Sequence, residues 1–144
     1  MQPAEFFFLG PYATSIIAPR LYKEIYIAWQ HLPESVIKLN TNGVSHGNPG
    51  AAGAGGVFRN QSGDWVFGFS RAVRIATNSF TEAWAIRDGL CFAGQKNFHS
   101  FIVESDSKYI LDLVTDTNTS DNHGLSAVIC DCRVLLRHIP QNLV

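Results

Sequence analysis

Thr77-Asn78-Ser79-Phe80-Thr81-Glu82-Ala83-Trp84-Ala85-Ile86-Arg87-Asp88-Gly89-Leu90 is where the chain changes from strand-like to helix-like patterning. Thr77, Asn78 and Ser79 are N-cap candidates, because a short polar side chain accepts hydrogen bonds from the N–H groups of a first helical turn. Ala83, Ile86, Leu90 and Ala93 then recur at helical spacing and predict one buried face. Glu82 is expected in the first turn of that helix.

Upstream, Val57-Phe58-Arg59 and Trp65-Val66-Phe67-Gly68-Phe69 read as two strands joined by a turn containing Gln61-Ser62-Gly63-Asp64. Before them, Val36–Asn40 alternates briefly and meets the turn signal Thr41-Asn42-Gly43. The run from Gly47 to Gly56 is expected to be a glycine-rich loop. Its glycines permit positive φ and close backbone approach, which suits a phosphate or a sugar as well as a plain turn. It has no lysine, and a strand follows it, so it is neither a nucleotide-triphosphate loop nor a dinucleotide fingerprint.

Downstream, Phe101-Ile102-Val103 predicts a short strand ending at Glu104-Ser105-Asp106-Ser107. Ile110, Leu113 and Val114 mark a second helix. Leu125, Val128, Ile129, Cys132, Leu135, Leu136 and Ile139 form the apolar stripe of a third. Pro140 ends it, and His123 falls in the loop before it, as a solvated or capping residue. The predicted order is β-β-β-α-β-α-α. The stretch from Met1 to about Pro33 carries no evident chemistry. Leu21, Ile25 and Ala28 fit one helical face, so a leader or an added helix is expected there.

The chain has 144 residues, 46% hydrophobic and 16% charged, with a formal net charge of −1. That length suits one domain with its own core. The high apolar and low charged content excludes disorder, and no apolar run reaches the length of a membrane span. Near-neutral charge argues against nucleic-acid binding by bulk charge alone. Cys91, Cys130 and Cys132 lack the spacing of a disulfide framework or a metal site, and are expected to be buried or half-buried free thiols in a reducing, intracellular setting, nucleus or cytoplasm. No disulfide partner and no membrane partner are expected.

Asn42, Glu82 and Asp106 lie at predicted element ends. If the first and fourth strands are parallel neighbours, Asn42 and Asp106 stand side by side at their carboxyl ends, and the intervening helix brings Glu82 above them. Carboxylates gathered there need a compensating cation, and oxygen ligands suit Mg²⁺. Each residue also has a simpler reading. Glu82 would complement a helix N-terminus, and Asp106 would cap the next helix.

Lys38-Leu39-Asn40-Thr41-Asn42-Gly43, Gly47-Asn48-Pro49-Gly50 and Ala54-Gly55-Gly56-Val57-Phe58-Arg59 together resemble the opening of a type 1 ribonuclease H domain, closest to the reverse-transcriptase-like group abundant in plants. The stretch 77–90 resembles that family's catalytic-glutamate helix, and Val103-Glu104-Ser105-Asp106-Ser107 its strand-four aspartate motif. The resemblance runs from about Trp29 to the C-terminus. It divides the chain into a leader, 1–33, and an incomplete RNase H-like domain, 34–144.

The resemblance implies an α/β fold: a mixed sheet of three antiparallel strands and then a parallel strand, flanked by helices. It implies an RNA–DNA hybrid as partner, with the RNA strand cut by two-metal catalysis using Mg²⁺ or Mn²⁺. Glu82 and Asp106 match catalytic carboxylates that hold metal. Gly47 and Asn48 match a loop that contacts the hybrid, and Thr77, Asn78 and Ser79 a stretch that contacts its backbone. Two departures stand against full activity. Asn42 replaces the family's first catalytic aspartate, and an amide cannot bridge two cations as a carboxylate does. The chain also stops at Gln141-Asn142-Leu143-Val144, where the family's fifth strand would start, before its last helix and fourth carboxylate. Strand four is therefore expected to be an open edge unless the N-terminal segment covers it. Weak or lost hybrid cleavage is expected; an inactive nucleic-acid-binding module or a partial-domain fragment is the alternative. From Lys38 onward nine basic residues face nine acidic ones, so hybrid binding is expected to be modest and salt-sensitive. No oligomeric state is implied.

Overall fold

The structure is a computed structural model that describes residues 5–9, 23–26, 36–98, 101–116 and 124–138; for 5–9 and 23–26 only strand pairing is described. The elements are β1 (Glu5–Leu9), β2 (Lys23–Tyr26), β3 (Ile37–Gly47), β4 (Gly50–Arg59), β5 (Trp65–Ala76), α1 (Asn78–Gln95), β6 (Phe101–Ser105), α2 (Lys108–Thr115) and α3 (Ser126–His138). From residue 36 onward this is the expected β-β-β-α-β-α-α order.

The strands form one sheet in the order β1-β5-β4-β3-β6-β2. β3, β4 and β5 are antiparallel neighbours, and β6 runs parallel to β3. β1 adds parallel to β5, and β2 antiparallel to β6.

Several elements differ from their sequence reading. Thr41-Asn42-Gly43 is not a turn but the middle of β3. Thr41 pairs with Gly56 on one side and Ser105 on the other, so ladder bonds from both neighbours override local turn propensity. Most of the glycine-rich run is not a loop either. The reversal takes only Asn48 and Pro49, through a cis peptide bond, and Gly50–Gly56 continues as strand. Ala52 through Phe58 are all buried, in a strand paired along both edges by β3 and β5. A Cβ on Gly56 would sit 2.5 Å from the Phe69 ring. Lys23–Tyr26, expected as helix, pairs as a strand with Ser105–Ile102. Its partner is the free edge of β6, so the edge expected to be open is closed by chain from the N-terminal segment.

One face of the sheet carries the helices. Leu39, Phe58, Phe69, Phe101 and Val103 pack there against Ile86 and Leu90 of α1 and Ile129 and Cys132 of α3. Gly89 lets α1 lie directly on Leu39, whose Cδ2 is 2.6 Å from where a Cβ would stand. α3 buries Val128, Ile129 and Cys132 and half-buries Leu125, Leu135 and Leu136, as its stripe predicts. The Arg133 Nη2 donates to the carbonyls of Leu113 and Asp116 at 2.7 and 3.1 Å. It thereby satisfies acceptors that a helix C-terminus leaves open. Among the cysteines Cys132 is buried and Cys91 half-buried, whereas Cys130 is exposed, unlike its sequence reading. No helix of the described residues is long and apolar enough to cross a membrane. His123, Ile139 and Pro140 lie outside the described residues.

Candidate nucleic-acid and metal site

Strand alternation decides which side chains meet. On β3, Leu39, Thr41 and Gly43 face α1, while Lys38, Asn40 and Asn42 face the other way. The parallel ladder between β3 and β6 pairs Asn40 with Glu104 and Thr41 with Ser105. One residue further on, Asn42 and Asp106 leave the carboxyl end of that ladder together. α1 starts nearby, because Thr77 ends β5's excursion and caps the helix: its Oγ1 accepts from the Phe80 N–H at 3.2 Å.

A cavity of about 380 Å³ opens at this junction. Asn42, Glu82 and Asp106 line it, with Asn78 and Ser79 of α1 and Ser107. The structure therefore brings the three expected residues from three separate elements to one place. Among the described lining residues there are two carboxylates and no lysine, arginine or histidine.

The simpler readings of the two carboxylates do not hold. The first turn of α1 contains no acidic residue. Glu82 begins the second turn, where the favourable field of a helix N-terminus has largely faded. α2 is capped by Ser107, whose Oγ accepts from the Ile110 N–H at 3.4 Å. Asp106 stands one residue before that cap. Glu82 is 8% exposed, and its Oε2 is buried without a hydrogen-bond donor.

The sequence matches a known family. Residues 40–142 match the model of reverse transcriptase-like domains. The chain belongs to the reverse transcriptase-like family. A curated protein of Arabidopsis thaliana, named for ribonuclease H, is 36% identical over 128 residues. That is 89% of this chain and 20% of the relative, so the chain spans about a fifth of the relative's length. The matched stretch is longer than 34–144 and so takes in part of the first 33 residues. Among solved structures, RNase H1 of the archaeon Halobacterium salinarum superposes with a TM-score of 0.66 at 24% identity, covering 73% of this chain and 80% of that one. The N-terminal RNase H domain of a Mycobacterium tuberculosis protein gives 0.67 at 23%, over 74% and 78%. A compost-derived RNase H1, solved in complex with an RNA/DNA hybrid, gives 0.60 at 22%, over 73% and 80%. The fold is RNase H-like.

Of the remaining residues singled out in this reverse transcriptase-like domain, Gly47, Asn48 and Thr77 stand outside the cavity lining. Gly47 and Asn48 form the tip between β3 and β4. Asn48 Oδ1 accepts from the Asn78 N–H at 3.1 Å, tying that tip to the start of α1. Thr77 is occupied in capping. Asn78 and Ser79 line the cavity itself. Three contributors were not legible in the sequence. Val44 and Ser45 line the cavity because β3 continues past Gly43, and the Ser45 Oγ donates to the Ala76 carbonyl at 2.8 Å. Glu104 lies buried just behind the cavity, and its one sequence signal is a charge closing an apolar strand.

The donor set suits a hard cation. Carboxylate, amide and hydroxyl oxygens converge, which are Mg²⁺ and Mn²⁺ ligands, and no thiol or imidazole lines the cavity. Among the described residues no group of three or more His, Cys, Asp or Glu is placed to hold a metal. The third side chain beside Glu82 and Asp106 in the cavity lining is the amide of Asn42.

Proposed function

We propose that this domain recognises an RNA–DNA hybrid at the Asn42–Glu82–Asp106 cavity, and that its cleavage of the RNA strand is weak or lost. The supporting observation is the convergence of those three residues, from β3, α1 and the end of β6, on one cavity beside the capped start of α1. In this reading Glu82 and Asp106 hold a divalent cation, which when bound activates water and stabilises the leaving oxygen. Asn78 and Ser79 offer amide and hydroxyl groups to the sugar-phosphate backbone, which suits recognition by shape and 2′-hydroxyl. Asn42 offers one carbonyl oxygen without charge, so the negative field that draws in cations is weaker than a third carboxylate would make it.

A second reading, a hybrid-binding module that does not cleave, is favoured by the same Asn42. One experiment separates the two. A labelled RNA–DNA hybrid is incubated with the protein and Mg²⁺ or Mn²⁺, beside Asn42→Asp and Asp106→Ala variants. Cleavage by the parent chain that Asp106→Ala abolishes supports a working nuclease. Binding without cleavage, with cleavage appearing in Asn42→Asp, supports the module. Absence of hybrid binding in every form overturns both.

A further inference from the structure

Lys38, Asn40 and the buried Glu104 form a polar cluster that the proposed chemistry does not use. Glu104 is 5% exposed, and a carboxylate so placed is costly unless compensated. Both its oxygens are engaged. Lys38 Nζ stands 2.8 Å from Oε1, and Asn40 Nδ2 donates to Oε2 at 2.6 Å. Lys38 reaches out to solvent, with 43% of its side chain exposed.

An ion pair with a half-exposed lysine adds little stability, so the Lys38 contact alone does not account for a carboxylate here. Its place in the ladder does. Asn40 and Glu104 are direct register partners, and two residues further along each chain Asn42 and Asp106, the latter just past the end of β6, line the same cavity. A slip of one residue would turn these side chains to the opposite face. A hydrogen-bonded amide–carboxylate pair at facing ladder positions is well suited to specifying one register.

We propose that Glu104 is a positioning residue for the cation site. Through Asn40 it holds β3 and β6 in the register that sets Asn42 beside Asp106. Through Lys38 its own charge is cancelled, so the field at the cavity is set by Glu82 and Asp106. This rests on the reading of those two as cation ligands.

The test is titration of the full chain with Mn²⁺, followed calorimetrically, with thermal unfolding of each variant as the control. Glu104→Gln leaves the Lys38 charge uncancelled and is expected to raise the Kd for Mn²⁺ about fivefold, the scale of one unit charge acting on a divalent ion across two strand residues. Lys38→Gln leaves the Glu104 charge uncancelled and is expected to lower the Kd by a similar factor. The double variant returns to near the parent value. A purely structural role would lower the unfolding temperature of both single variants without moving their Kd values in opposite directions, and that result overturns the proposal. If Glu104→Gln fails to fold, Lys38→Gln decides alone, and unchanged or weaker Mn²⁺ binding overturns the proposal. Asp106→Ala separates the two layers. Loss of Mn²⁺ binding in that variant keeps the site reading intact whatever the Glu104 result. Retention of binding there overturns the site reading and this inference with it.

Discussion

Gly43 of β3 lies directly beneath the backbone of Glu82. A Cβ at Gly43 would stand 2.5 Å from the Glu82 nitrogen and 2.5 Å from the Thr81 carbonyl carbon. That close approach of helix to strand brings Glu82 to the cavity that Asn42 also lines. Backbone, unlike the far end of a side chain, has no rotamer through which to yield. Gly43→Ala is therefore expected to destabilise the fold by about 1–3 kcal/mol, the range for overpacked cores. Denaturant unfolding measures that loss. Mn²⁺ titration of the folded variant is expected to show weakened binding, because α1 must lift Glu82 away.

Asn42→Asp places a third carboxylate in the cavity that Glu82 and Asp106 line. Cation-borne charge stabilisation is worth several kcal/mol, and each ~1.4 kcal/mol is a factor of ten in rate. Hybrid cleavage is expected to rise by at least about a hundredfold over the parent chain. A single-turnover assay with Mg²⁺ checks this, and equal rates in the two forms would show that residue 42 is not the limiting ligand.

Asp88 on α1 is expected to be the most stability-sensitive charge among the described residues. It is 2% exposed and accepts from Arg71 Nε at 2.5 Å and Arg87 Nη1 at 3.1 Å. The Trp84 ring lies beneath both guanidinium groups, 4.8 and 5.2 Å from its centroid. Asp88→Ala leaves two half-buried cations without their shared anion, an expected loss of about 3–5 kcal/mol. Asp131, 60% exposed and 3.8 Å from Arg87 Nε, is the contrast. Asp131→Ala is expected to cost less than about 1 kcal/mol, as exposed pairs do. Urea midpoints of the two variants read the difference.

Cys132 is expected to give the domain an alkaline weakness. Burial first, then the neighbouring Asp131 carboxylate, pushes its thiol from 9.0 up to about 12. The folded chain therefore keeps a proton that the unfolded chain releases above pH 9, so stability falls as pH rises from about 9 to 12. Thermal unfolding across that range is expected to show the decline, and Cys132→Ala to flatten it. Alkylation at pH 8 is expected to label the exposed Cys130 first and Cys132 only in denaturant.

The part of the site carried by local chemistry was legible. The cap at Thr77, the helix bearing Glu82, and Asp106 just past the end of a short strand all follow from residues near one another in the chain. Misreadings fall where distant chain supplies the partner. Asn42-Gly43 is turn-forming in isolation, but Gly55 and Ala54 across the β3–β4 ladder hold it extended. Glu82 reads as a first-turn acid when Asn78 or Ser79 is the cap; with Thr77 capping, the helix starts earlier and Glu82 falls in its second turn. Lys23–Tyr26 has helical spacing and still becomes a strand, since β6 offers it an unpaired edge.

By itself, the sequence determined the order of elements from residue 36 onward, the buried stripe of α3 and which residues carry oxygen donors, because caps and hydrophobic periods act within a few residues. Tertiary structure decided that Asn42, Glu82 and Asp106 share one cavity, that Gly43 is the floor under α1, and that Glu104 is held by Lys38 and Asn40. These relations join residues as many as 66 positions apart, Lys38 and Glu104, and only ladder register and helix-on-strand packing bring such residues into contact.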